Sequence, residues 1–156
     1  MTLLAIDPGT DTGWAVFVDS RLTSCGLGLP PVGPWDWDVV VAERPKLRTK
    51  ATAESVVTLA INLGEHIGRL RALASIGRLV LVAPEQWKAQ ITKAAHHPRI
   101  WSRLDAAEQR IVDVAFASAP GRNGMAPSKR HNVLDAIGIG LYQTGRYVPR
   151  GAKVPS

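Results

Sequence analysis

Apolar positions along the chain follow two rhythms. Up to residue 43 they come in short runs. Residues 3–6 (LLAI) are continuously apolar, as in a strand buried on both faces. The cluster DPGTDTG at 7–13 interrupts them with turn-forming residues. Residues 14–18 return as a second strand, with Trp, Val and Phe suited to a pleated surface. Residues 21–27 read as a third. A Gly/Pro/Trp-rich connection covers 29–37, and 38–43 (DVVVAE) is a fourth strand, again buried.

The rhythm then changes. Residues 44–50 (RPKLRTK) are mostly basic and give way to a long helix at 52–74. Its positions Val56, Ala60, Leu63, Ile67, Leu70 and Ala74 step by 4, 3, 4, 3, 4, which defines one helical face. Thr52 caps it and Glu54 suits its first turn. Residues 78–83 (RLVLVA) are a fifth strand, and a short helix opens at Pro84. Asp105 and Glu108 have capping-box spacing, which predicts a helix to about residue 118. A Gly/Pro-rich loop (119–127) separates it from a last helix at 128–144. This order predicts an α/β fold, a five-stranded mixed sheet flanked by helices. Residues 1–145 form the domain, and 146–156 a basic, flexible tail.

At 156 residues the chain has room for one domain with its own core. Its net charge of +6 favours a polyanionic partner such as nucleic acid. A single cysteine, Cys25, excludes an intrachain disulfide and a multi-cysteine zinc site and suits a reducing cytoplasm. No uncharged apolar run approaches the ~20 residues of a membrane span, so no membrane association is expected. Asp7 breaks the first apolar stretch early, which argues against a signal peptide.

Three carboxylates carry the chemistry. Asp7 ends a buried strand, where α/β proteins tend to place their sites, although Asp is also common in such turns. Glu43 ends another, and a Glu there needs a partner, either a basic neighbour such as Arg44 or a metal. Asp135 lies inside the last helix among apolar neighbours, about one turn from His131 and Asn132. If they converge at one sheet edge, such oxygen ligands suit Mg²⁺ or Mn²⁺ rather than zinc. Two such ions can drive phosphodiester hydrolysis.

These segments bear a family resemblance. Residues 3–18 (LLAIDPGTDTGWAVFV) look like the first hairpin of the RuvC-type Holliday junction resolvases of the RNase H-like superfamily. In the same order, VVVAERP (39–45) resembles the strand with the second acidic residue, and LGEHIG (63–68) the helix after it. LVAPEQWKAQITK (81–93) resembles the strand, proline turn and lysine-bearing helix, and SKRHNVLDAIGIGLY (128–142) the final acidic helix.

The resemblance implies an RNase H-like fold and Mg²⁺-dependent (or Mn²⁺-dependent) cleavage of four-way junctions or other branched DNA. It implies 5′-phosphate ends and paired nicks from a homodimer. Asp7, Glu43 and Asp135 are then metal ligands, and Lys88 and Lys93 lie near the phosphate backbone, with Lys129 and Arg130 also expected at DNA. Trp87 is read as core. The fourth metal position falls on Asn132, three before Asp135, or on His131, four before it. His131 is the preferred functional residue, because its pKa near neutrality suits proton movement. The alternating Arg44, Lys46, Arg48 and Lys50 would share one side of an extended loop facing DNA. The short linker between the third and fourth strands, and the lack of aromatic residues after Glu43, suggest a compact phage-type relative. Gly64 and Gly68 make the long helix the expected dimer interface.

Other readings compete. Residues 7–13 also resemble the phosphate loop of actin-like ATPases, but that fold needs two such domains. An RNase H-like nuclease acting on RNA ends and a non-catalytic nucleic-acid-binding module remain as alternatives.

Overall fold

Strand alternation decides which residues meet which helix. The computed structural model describes residues 1–30, 36–46, 52–88, 91–121 and 123–148. Five strands, β1 (Thr2–Asp7), β2 (Gly13–Val18), β3 (Arg21–Leu27), β4 (Trp37–Glu43) and β5 (Ile76–Val82), form one sheet in the order β3-β2-β1-β4-β5. β1, β4 and β5 run parallel, while β2 and β3 are antiparallel to their neighbours. β1 is central, which explains its unbroken apolar run. Leu4, Ile6, Val40 and Ala42 point to one face, and helix α1 (Ala53–Leu73) covers it with Leu63, Ile67 and Leu70. Leu3, Ala5, Val39 and Val41 point to the other, under α5 (Pro127–Gln143) and its neighbours.

Local signals set the helix ends. Thr52 caps α1 by accepting from Ser55 N. Asp105 caps α4 (Ala106–Ser118), and Glu108 reaches back to Asp105 N, completing the expected capping box. Pro84 opens α2 (Pro84–Trp87). The sequence pattern misses α3 (Lys93–Trp101), because Pro98 lies inside it and its apolar positions are few. Asp19 and Ser20 link β2 to β3 with φ of 48° and 66°, a two-residue loop of the primed type without its usual glycine.

The expected tail begins too early. Arg146 is bound to Glu108 and Ser20 O, and Tyr147 is buried, because the chain turns back onto α4 and α3 after Gly145. Residues 149–156 lie outside the described part, as do Arg48, Lys50 and the side chain of Lys93.

Candidate metal centre

Parallel pairing puts two carboxylates side by side. β1 and β4 pair with Ile6 opposite Ala42, so Asp7 and Glu43 are the next residues on adjacent strands. By alternation both share the face of Ala5 and Val41, the face that carries α5. α5 comes close because Gly13, the register partner of Asp7, has no side chain. A Cβ there would stand 2.0 Å from the carbonyl oxygen of Asn132. One turn along α5, Asp135 then faces the same sheet edge. A cleft of about 230 Å³ is lined by Asp7, Glu43 and Asp135 together with Lys46, Lys88 and Asn132.

The short α2 completes the cleft. β5 ends opposite Glu43, and α2 follows after one residue. Its Trp87 is fully buried, as expected of a core residue, yet its Nε1–H donates to Glu43 Oε2 at 2.9 Å. Gly138 of α5 lets this ring in, since a Cβ there would lie 2.6 Å from it. Lys88, at the C-terminal cap of α2, places Nζ 3.2 Å from Glu43 Oε2 and 2.9 Å from Asp135 Oδ2. Burial works to lower the Lys88 pKa, but Glu43, Asp135 and Asp7 hold it above its ordinary value.

Asp135 is the most enclosed of the three cleft acids. Burial pushes its carboxyl up. The hydrogen bond from His97 and the Lys88 charge outweigh burial and bring it to about 2. His97 Nε2 lies 3.0 Å from Asp135 Oδ1. Next to it, His96 is buried, its Nδ1 at 3.2 Å from the Tyr147 hydroxyl, and burial lowers it to about 4.

The sequence-expected residues divide accordingly. Asp7, Glu43, Asp135, Lys88, Lys46 and Asn132 share the cleft. Asn132 is among the cleft's lining residues and His131 is not. At about 100° per residue, Asn132 lies roughly 60° to one side of Asp135 around the helix and His131 roughly 40° to the other, and the cleft lies on the Asn132 side. Lys46 pairs with Glu85 and Lys129 with Asp11, both at the surface. Arg130 is partly enclosed, donating to Met125 O over the Phe116 ring, which gives it a structural role in the 119–126 loop. His97 and the polar use of Trp87 were missed. The only signal was the His-His pair before Pro98.

The donor set fits a hard divalent cation. Every cleft carboxylate and the Asn132 carbonyl offers oxygen, and an ammonium already stands between two of them. Among the described residues no three of His, Cys, Asp and Glu are gathered tightly enough to hold an ion. Lys88 bridges two of the carboxylates, with oxygen partners at 2.9 and 3.2 Å.

No protein-family model matches the chain, and no curated protein does. Among solved structures, RuvC from Thermus thermophilus matches at 13% identity and a TM-score of 0.43, with 96% of this chain and 99% of that chain covered. RuvC from T. thermophilus in complex with a Holliday junction substrate matches at 17% identity and a TM-score of 0.59, with the same coverage. The chain therefore has the RuvC-like, RNase H-like α/β fold, with its five-stranded mixed sheet and flanking helices.

Proposed function

We propose that this protein is a divalent-metal-dependent endonuclease of the junction-resolving kind, acting on four-way or otherwise branched DNA. The observation that carries this reading is the convergence of Asp7, Glu43 and Asp135, from three distant segments, on one cleft that also holds Lys88. The structural likeness to a RuvC solved with a Holliday junction substrate supports the choice of DNA. The net charge of +6 supports a polyanionic substrate.

When bound, Mg²⁺ or Mn²⁺ would acidify a water and stabilise the leaving oxygen of an in-line displacement. Asp7, Asp135 and Glu43 would hold the ion. Asn132 would add a neutral carbonyl oxygen, a weaker donor than a carboxylate. Lys88 offsets the carboxylate charge and stands ready for a phosphate oxygen. Trp87 fixes the Glu43 carboxylate. The product carries a 5′-phosphate.

Two opposed nicks require two sites, and we propose a symmetric homodimer formed through α1. Val57 and Ile61 on this helix are 56% and 55% exposed, and beyond them Gly64 and Gly68 have open space above them. Small residues there let a second backbone approach closely. A monomer in sedimentation at micromolar concentration, free and on DNA, would exclude this arrangement.

Cleavage assays with Mg²⁺ on four-way, three-way, duplex and single-stranded DNA test the function. Asp7→Asn and Asp135→Asn should bind junctions but cleave them at least 10²-fold more slowly, about the loss expected when transition-state electrostatics are removed. Activity that survives EDTA or Asp7→Asn would overturn the proposal. Cleavage of RNA ends alone would move it to the neighbouring nuclease class.

A further inference from the structure

We infer that His97 is a positioning residue of the metal centre: from α3 it holds Asp135 Oδ1, so that Oδ2 is presented to the cleft. The inference rests on the reading of the cleft as a divalent-cation site. The two oxygens of Asp135 are divided between partners, Oδ1 at 3.0 Å from His97 Nε2 and Oδ2 at 2.9 Å from Lys88 Nζ. An ionised carboxylate only accepts hydrogen bonds, so His97 Nε2 is the donor.

The two partners differ in kind. Lys88 is a long, flexible side chain that can withdraw its ammonium. His97 is a planar ring on a helix fixed from two sides. Its neighbour His96 is buried, contacts the Tyr147 hydroxyl at 3.2 Å and packs on the Trp87 ring with centroids 5.1 Å apart. Ile100 packs so closely on α5 that a Cβ at Gly138 would lie 2.7 Å from it. The register of α3 against α5 is therefore set, and with it the direction of the His97 ring. With Asn132 offering only a neutral oxygen, the orientation of Asp135 carries more of the ion's binding. Partners that orient a metal-binding group typically contribute 10–100-fold in affinity.

The test is Mn²⁺ binding to the full-length, DNA-free protein, followed by calorimetry and by the electron paramagnetic resonance of the free ion. His97→Leu and His97→Asn should weaken Mn²⁺ binding by about 10–100-fold while circular dichroism stays unchanged. The Asn amide is too short to reach Asp135 and keeps the site polar, so it covers the case in which the Leu variant misfolds. His97→Gln should return binding to near wild type, since its amide nitrogen falls where Nε2 stands. Equal affinity in wild type, His97→Leu and His97→Asn would overturn the inference, as would equal weakening in Gln, Asn and Leu. A wild-type protein that binds no Mn²⁺ would instead overturn the metal reading of the cleft, and this inference with it.

Discussion

Gly13→Ala is the smallest change that should separate the carboxylates. A methyl group there would lie 2.0 Å from Asn132 O, 2.4 Å from Asn132 C and 2.9 Å from Val133 N. All of these are backbone atoms, so no side chain can rotate out of the way. A carbon–oxygen contact settles near 3.3 Å, so the start of α5 must retreat by about 1.3 Å. Strain of this kind typically costs about 1–3 kcal/mol, and backbone on both sides places it at the upper end. For a chain of this size that lowers Tm by roughly 4–12 °C. The retreat carries Asn132 and Asp135 away from Asp7, and a misplacement of about 1 Å can cost roughly 10²-fold in rate. Gly140→Ala is the matched comparison. Its methyl would lie 2.1 Å from the Phe17 ring, a side chain within the core, so it should destabilise while leaving Mn²⁺ affinity closer to wild type. Thermal melts, Mn²⁺ binding and junction cleavage, taken where all variants are folded, decide it. A Gly13→Ala protein that melts with the wild type would refute the packing argument. One that is destabilised but cleaves at full rate would refute the link from α5 to the site.

The remaining predictions concern stability and DNA. Burial raises the Glu108 carboxyl, but Arg146, Asp105 N and Leu22 N hold it at about 2 against an ordinary 4.5. Its stabilisation is thus complete above pH 4.5 and lost as pH falls towards 2. With some screening through the partly exposed Arg146, the loss is about 2–3 kcal/mol, measured by urea unfolding across pH and flattened in Glu108→Gln. Ser20→Gly should stabilise by about 1 kcal/mol, because Ser20 sits at φ 66° where glycine carries no penalty. A loss of stability would mean that its side chain contributes more than the strain removes. Lys46→Ala should reduce the salt slope of DNA binding by roughly one, and an unchanged slope would leave Lys46 only its surface pair with Glu85.

Much of the fold was legible because the strands are short, apolar and punctuated. The 21–27 strand and the Asp105 capping box are written in local residues. So were Asp7 and Glu43, since a carboxylate at the end of a buried apolar run announces itself. His97 was not legible. Its helix contains Pro98 and few apolar residues, and its partner lies 38 residues away. The choice between His131 and Asn132 was not legible for a related reason. Spacing puts both within reach of Asp135, and only the side of α5 on which the cleft opens distinguishes them. The packing of Arg146 and Tyr147 depends on Glu108 and His96, which lie far back in the chain.

The four residues of α2 and the lysine that follows show how the site is held. β4 and α5 each bring one acid to the cleft, and like charges brought together in an enclosed space repel. α2 resolves this with two side chains of different character. Trp87, with no exposed surface, donates its ring N–H to Glu43 and takes its place in the core against Gly138. Lys88 stands beside that ring, 4.3 Å from its centroid, and bridges Glu43 to Asp135. The rigid contact orients an acid, and the flexible one neutralises the pair. Gln86 secures the turn by accepting from Ala83 N at 2.7 Å, so the helix stays folded although it is too short to be stable alone. The movable part of the cleft is therefore a single lysine stem, while the acids themselves stay anchored to the sheet and to α5.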